Sequence, residues 1–207
     1  MRNISAEVQD KFVDVLGRRA TFDPFERRFY RSDVGSMPSL VGPLVGNTMP
    51  AGVVQPHSEE EVAALARLAA QHGVPVVPRG KASSGYGGVL PVAGGLVVAG
   101  GCVVAGGWVA RVIALNAAAG TVTVGPGMVW EKLERELGKS GLALRTYPSS
   151  AMSSTVGGWL AQGGMGYGAY EYGYFLESVV SARVVLPSGE VREFAGDELD
   201  LISDAEG

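Results

Sequence analysis

The chain has little sulfur and little imidazole: one cysteine, Cys102, and two histidines, His57 and His72, in 207 residues. A lone thiol closes no internal disulfide and builds no four-cysteine zinc or iron–sulfur site, and two histidines 15 positions apart do not nucleate a metal centre. No metal site is therefore expected. Basic excess is also missing, with 17 Lys and Arg against 21 Asp and Glu, a net charge of -4 and a pI near 5.3. Proteins that neutralise phosphates along a nucleic acid carry a basic footprint, so nucleic-acid binding is set aside. The N-terminal "MRNISAEVQDKF" has no uninterrupted apolar stretch after its arginine. It does not read as a secretory signal, and a cytoplasmic location is expected.

Charge is absent altogether from residues 82 to 110. A run of that length raises the question of a membrane helix, which needs about 20 apolar residues. Glycine pairs at 87–88, 94–95, 100–101 and 106–107, together with Pro91, argue against a helix there. Within this run AGGLVV, AGGCVV and AGGWVA repeat with a period of six, and an even period keeps each side chain on one face of an extended strand. Residues 93 to 110 are therefore expected to be extended, with no membrane span.

What the chain does have is 46% hydrophobic residues against 18% charged, which suits a packed core. Residues 5 to 19 read as an amphipathic helix capped by Ser5, with Val8, Phe12, Val15 and Leu16 on one face. The stretch from Phe22 to Pro50 mixes prolines, glycines and aromatics without a period and reads as an extended lead-in. "AGVVQP" is a short strand, Ser58 with Glu61 forms a capping box for the next helix, Gly73 ends it, and "VPVVP" is a second strand. Two strands joined by a helix imply a parallel, right-handed crossover. The pattern recurs as "TVTVGPG", a helix over 128–139, and an extended "LALRTYP", and "SVVSARVVLPSGEVREF" is a hairpin turning at Pro187-Ser188-Gly189. The class is α+β.

Two glycine-rich loops stand out. "PRGKASSGYGG", residues 78 to 88, leaves the second strand. It is no Walker loop, since Pro75 stands where the first glycine belongs and Ala82 where Ser or Thr belongs. It is no dinucleotide fingerprint either, because Gly85, Gly87 and Gly88 lead into Val89, Leu90 and Pro91 rather than a helix. Main-chain N–H groups, the Ser83 and Ser84 hydroxyls and the Arg79 and Lys81 cations fit a pyrophosphate; a plain surface loop fits the composition equally well. In the second loop, "STVGGWLAQGG", Ser154 or Thr155 can cap a short helix on which Gly157 and Gly158 leave space for a flat or charged ligand.

The segments "VVQPHSEEEVAALARLAAQHGVPVVPRGKASSGYGG", "TVTVGPGMVWEKLE", "YPSSAMSSTVGGWLAQGG" and "YEYGYFLESVVSARVVLPSGEV" occur in one order. Taken together, the chain resembles the PCMH-type FAD-binding domain of the vanillyl-alcohol oxidase and p-cresol methylhydroxylase class over roughly residues 40 to 195. Within that class it is most similar to FAD-linked oxidases of the glycolate oxidase and D-lactate dehydrogenase type. The resemblance implies a domain of two α/β lobes with FAD between them, lobe one about 40–112 and lobe two about 113–207, behind an N-terminal helix and lead-in over 1–39. It implies that Pro78, Arg79, Gly80, Lys81, Ala82, Ser83, Ser84, Tyr86 and Gly87 wrap the FAD pyrophosphate. On the flavin and ribityl side it implies Pro148, Ser149, Ser150, Ser154, Thr155, Gly157, Gly158, Gln162, Gly163 and Gly164, with Tyr167, Tyr170, Tyr172 and Tyr174 walling the ring.

Some positions depart from the family's pattern. Lys81 stands where the family often has glycine or alanine, Ala82 replaces a usual glycine, and Ser83 stands where covalent members place a flavin-linking histidine, which implies non-covalent FAD. The connection through the repeat is about one unit longer than usual. The chain ends at "DAEG", where relatives continue into a substrate domain. The implied function is the FAD-binding domain of an oxidoreductase that oxidises a small 2-hydroxy acid by hydride transfer to flavin, and no residue in the chain is assigned as catalytic. Substrate would be held by the missing C-terminal domain, and an iron–sulfur electron-transfer partner fits this type. The alternative is a non-catalytic flavin-binding accessory subunit working with a partner chain.

Overall fold

A computed structural model of the chain describes residues 4–35, 46–99 and 110–199. It divides into two compact units, one of residues 1–100 with 185–191 and one of 101–184 with 192–207. The first unit takes in the N-terminal helix, the described lead-in and the turn of the C-terminal hairpin. Expectations for Cys102 and for most of the repeat, residues 100 to 109, lie outside the described residues.

In the first unit, helix α1 (Ala6–Leu16) starts at Ser5, whose Oγ accepts from the Val8 N–H, and passes into a 3-10 turn over Gly17–Arg19. Phe12 and Leu16 are buried as expected, but Val15 is exposed because it falls off the buried stripe. Strand β1 (Ala20–Thr21) pairs antiparallel with β2 (Gly52–Val54). Helix α2 (Pro24–Arg27) and a 3-10 turn over Arg28–Tyr30 replace part of the extended lead-in. The reason is local: Asp23 Oδ1 accepts from the Phe25 and Glu26 N–H groups and Pro24 occupies the first helical position.

Helix α3 (Glu59–Gln71) joins β2 to β3 (Val76–Arg79), and β4 (Leu96–Ala99) follows. The sheet order is β1-β2-β4-β3, with β4 parallel to both neighbours. Thus β2 and β3 run parallel as expected, but β4, which takes in the Leu96-Val97-Val98 end of the first copy of the six-residue repeat, is wedged between them. Its burial explains the placement, since Leu96, Val97 and Ala99 are all inaccessible and a central strand is apolar on both faces. One face, through Val54 and Leu96, packs on Phe12, Leu16, Leu65 and Ala69 of the helices; the other, through Val53 and Val97, is joined by Tyr30 and Val77.

The cap of α3 departs from the expected box. Ser58 Oγ accepts from the Glu61 N–H at 3.2 Å, but the Glu61 carboxylate turns to the His57 N–H at 2.6 Å and to both terminal nitrogens of Arg19 at 2.5 Å. The guanidinium of Arg19 is the main cause that holds the Glu61 carboxyl down to about 2, against an ordinary value of 4.5. A depressed carboxyl contributes stability that is present above the unfolded value and lost as pH falls through the folded one. We expect the pair, partly exposed, to contribute about 1–2 kcal/mol near neutrality. Thermal midpoints of parent and Glu61→Gln should differ most at neutral pH and converge as pH falls from about 4.5 to about 2. A pH-independent difference would contradict the assignment.

In the second unit, β5 (Val112–Asn116) and β6 (Thr121–Val124) form an antiparallel ribbon with a bulge between Val112 and Ala114. Helix α4 (Trp130–Gly138) buries Trp130, Leu133 and Leu137. Short helices α5 (Val156–Leu160) and α6 (Ala169–Tyr172) precede the hairpin of β7 (Ser181–Val185) and β8 (Val191–Ala195). The core centres on Trp130, Trp159 and Phe175, whose ring centroids lie 5.0–5.1 Å apart. Segment 142–148, expected to be extended, forms no strand: it bends at Arg145 and makes one isolated bridge, Tyr147 to Tyr167.

Candidate functional site

The loop that leaves β3 is shaped by the lead-in. Arg79 donates from Nη1 to the Tyr30 carbonyl at 3.3 Å and from Nη2 to the Ser32 carbonyl at 2.8 Å, and its guanidinium lies 5.5 Å from the Tyr30 ring centroid. Sequence reasoning gave Arg79 to the phosphates, but in the structure it is a strut between strand and lead-in. Gly87, also given to the phosphates, donates its N–H to Asp33 Oδ2 at 2.9 Å.

Between these fixed points lie Gly80 to Ser84. Ala82 adopts φ 53, the single left-handed non-glycine conformation among the described residues, and its methyl is buried. Such a conformation costs an alanine about 1–2 kcal/mol, so it persists where its surroundings hold it. Its carbonyl accepts from the Val34 N–H at 3.2 Å. The main-chain N–H groups of Lys81, Ala82, Ser83 and Ser84 have no acceptor among the described residues. Successive N–H groups around a left-handed residue are the material of a main-chain anion nest. Lys81 adds a half-buried cation beside them, Ser83 and Ser84 are half-buried hydroxyls, and Pro78, Gly88 and Tyr86 are exposed.

The second loop is built differently. Thr155 caps α5, its Oγ1 accepting from the Gly158 N–H at 3.4 Å, while Ser154 Oγ donates to the Ser150 carbonyl at 2.9 Å. Both side chains are buried. At the start of α5, Val156 donates its N–H to Met128 and Gly157 to Pro126, so these donors join α5 to the segment before α4. A Cβ at Gly157 would lie 2.6 Å from Pro126 Cβ. The expectation that Gly157 leaves space for a ligand is thus corrected: the space is filled by Pro126. Gly164 is likewise buried against the Trp159 indole, which occupies the position of its missing side chain.

Exposed in this unit are Ser149, Gly158, Gln162, Gly163 and Tyr167, with Pro148 buried and Ser150 half-buried. The Tyr147 and Tyr167 rings pack at 5.4 Å, flanked in sequence by the exposed Met152 and Met165. Tyr170, Tyr172 and Tyr174 are exposed, and Arg145 lies 5.9 Å from the Tyr172 ring. A hydrogen bond to Glu171 pushes the Tyr172 phenol up from its ordinary value. Asp33 and Arg145, which contact Gly87 and the Tyr172 ring, stand outside both glycine-rich runs and carried no local signal in the sequence.

With the two loops described, the decisive observation is that the profile of the FAD binding domain family matches residues 50–195. The chain belongs to that family. Its cofactor is FAD, and the PCMH-type fold inferred from the quoted motifs is shared by its structural neighbours. Alkyldihydroxyacetonephosphate synthase, 26% identical, superposes with a TM-score of 0.80 over 99% of this chain and 41% of that one. Among curated relatives, glycolate oxidase subunit GlcD of Bacillus subtilis is 29% identical over 149 residues, 72% of this chain and 30% of the relative. The D-lactate dehydrogenase [cytochrome], mitochondrial, of Arabidopsis thaliana is 31% identical over 190 residues, 92% of this chain and 31% of the relative. The FAD-binding domain thus spans about a third of these relatives' length. Among the described residues no helix is long and apolar enough to cross a membrane, and no cluster of His, Cys, Asp or Glu could hold a metal ion.

The loop after β3 fits FAD chemically. A dianionic pyrophosphate needs main-chain donors and a nearby cation without a free carboxylate, and Lys81 to Ser84 offer these while both Asp33 oxygens are already engaged.

Proposed function

We propose that this FAD-binding domain belongs to an oxidoreductase acting on a small 2-hydroxy acid of the glycolate or D-lactate type. The unpartnered N–H groups of Lys81 to Ser84 around left-handed Ala82 carry the cofactor side of this reading. The resemblance to glycolate oxidase subunit GlcD and to D-lactate dehydrogenase supports the substrate side. FAD, when bound, would supply the two-electron acceptor for oxidation of the carbon bearing the hydroxyl.

The protein's part is to bind and orient. Lys81 to Ser84 hold the pyrophosphate, with Gly80 allowing its approach. Ser149, Ser150, Gly158, Gln162 and Gly163 line the ribityl and ring side, and Tyr167 presents an aromatic face. Acid/base and carboxylate-binding groups for the hydroxy acid are assigned to a further domain, and an iron–sulfur protein is a fitting electron acceptor.

Ser83 at the family's linking position makes attachment non-covalent. Acid precipitation of the FAD-loaded chain should therefore leave all flavin in the supernatant, and anaerobic glycolate or D-lactate should not bleach the flavin bound to this chain. Flavin retained on the precipitate would contradict non-covalent binding. Bleaching by either acid would show that this chain itself holds the substrate groups.

A further inference from the structure

The lead-in that shapes the β3 loop lies before the span matched by the family profile, which begins at residue 50. Its contacts are concentrated on one side chain. Asp33 Oδ1 accepts from the Gly35 N–H at 2.9 Å and Oδ2 accepts from the Gly87 N–H at 2.9 Å, so one half-buried carboxylate bridges lead-in and loop. The bridge is tight. A Cβ at Gly35 would stand 2.7 Å from the Gly85 carbonyl oxygen, and the Val34 N–H reaches the Ala82 carbonyl at 3.2 Å. On the strand side, Arg79 closes the same junction through Tyr30 and Ser32.

We propose that Asp33 is a positioning residue for FAD: its carboxylate latches Gly87 to the lead-in and so holds the donors of Lys81 to Ser84 in a cofactor-ready arrangement. This rests on the reading of residues 78–88 as the pyrophosphate loop. A loop with open termini would have to be ordered by the ligand at the ligand's expense, whereas one pinned at Arg79, Ala82 and Gly87 is ordered before FAD arrives. The latch uses a carboxylate beside an anion site. That is tolerable because each oxygen is spent on a main-chain donor, and the Gly87 N–H that Asp33 occupies lies outside the run of donors from Lys81 to Ser84.

The test is an FAD titration of the 207-residue chain, followed by flavin fluorescence, in parent, Asp33→Ala, Asp33→Asn, Gly35→Ala and Gly80→Val, with thermal unfolding of each apoprotein. Asp33→Ala should weaken FAD binding about tenfold, and Asp33→Asn, which keeps one acceptor, by less than about threefold, with little change in either apoprotein's melting. Gly35→Ala, which presses on Gly85 without touching the carboxylate, should weaken binding as well. It keeps the proposal testable should Asp33→Ala fail to fold. Unchanged affinity in Asp33→Ala and Gly35→Ala, with Gly80→Val inactive in binding, would overturn the latch while leaving the loop in place. Tighter binding by Asp33→Ala would overturn it differently, making the carboxylate a rival of the pyrophosphate. Parent-like binding by Gly80→Val would overturn the loop reading and the latch with it.

Discussion

Gly80→Val should abolish FAD binding, whereas Lys81→Ala should weaken it by no more than about fivefold, the equivalent of about 1 kcal/mol for an exposed ion pair. Gly80 sits between the end of β3 and the unpartnered donors of Lys81 to Ser84. Its φ is not left-handed, so valine brings no left-handed strain there, and thermal unfolding of the apoprotein checks that the variant folds. A branched side chain at this position would narrow the approach of a pyrophosphate to the neighbouring main-chain donors, which have no substitute. Lys81, by contrast, is a half-buried cation whose attraction water and salt screen. Titrations at two salt concentrations separate the two contributions: the Lys81→Ala deficit should shrink at high salt and the Gly80→Val deficit should not. Should Lys81→Ala lose binding while Gly80→Val keeps it, the loop acts as a charge clamp rather than a main-chain cradle.

Gly168→Ala should destabilise the second unit by about 3 kcal/mol or more. Gly168 adopts φ 82, where any side chain is strained, and a Cβ there would be driven into the Arg145 carbonyl oxygen. Strain of about 1–2 kcal/mol adds to an overpacking cost of about 1–3 kcal/mol. Escape by backbone movement would break the Tyr147–Tyr167 bridge, whose two N–H···O bonds measure 3.2 and 2.9 Å. Trp130 and Trp159 are buried in this unit's core, so their fluorescence in denaturant reports its unfolding directly. A midpoint equal to the parent's would contradict the packing described for residues 164 to 168.

Much of this organisation was legible in local chemistry. Ser5 and Ser58 announced their helices because a hydroxyl at the N-cap acts within three residues. The motifs from Val53 to Val191 carried the FAD-binding family because several stood in order, and the family match bears that out. What escaped was non-local. Glu61 follows Ser58 with capping-box spacing, yet its carboxylate belongs to Arg19, 42 positions earlier. Nothing near β2 and β3 reveals that β4 enters between them.

Glycines misled in a particular way. Gly157 read as room for a ligand, but Pro126 occupies that room, as Trp159 occupies the space beside Gly164, and sequence alone does not distinguish an empty space from one filled by a distant residue. The glycines at 164, 166 and 168 were the available signal, since each stands so close to Trp159, Tyr147 or Arg145 that a Cβ there would not fit. The contacts of Arg79 were hidden for a related reason. A cation beside a phosphate loop looks free until the carbonyls of Tyr30 and Ser32 are seen to engage it.

The central claim is that this chain holds FAD through the loop after β3. It is tested most directly by loading the purified chain with excess FAD, removing free flavin by gel filtration and recording the absorption of the protein peak. The account predicts flavin absorption co-eluting at about one FAD per chain in the parent and a colourless peak for Gly80→Val. A colourless parent, or equal flavin in both proteins, would contradict it.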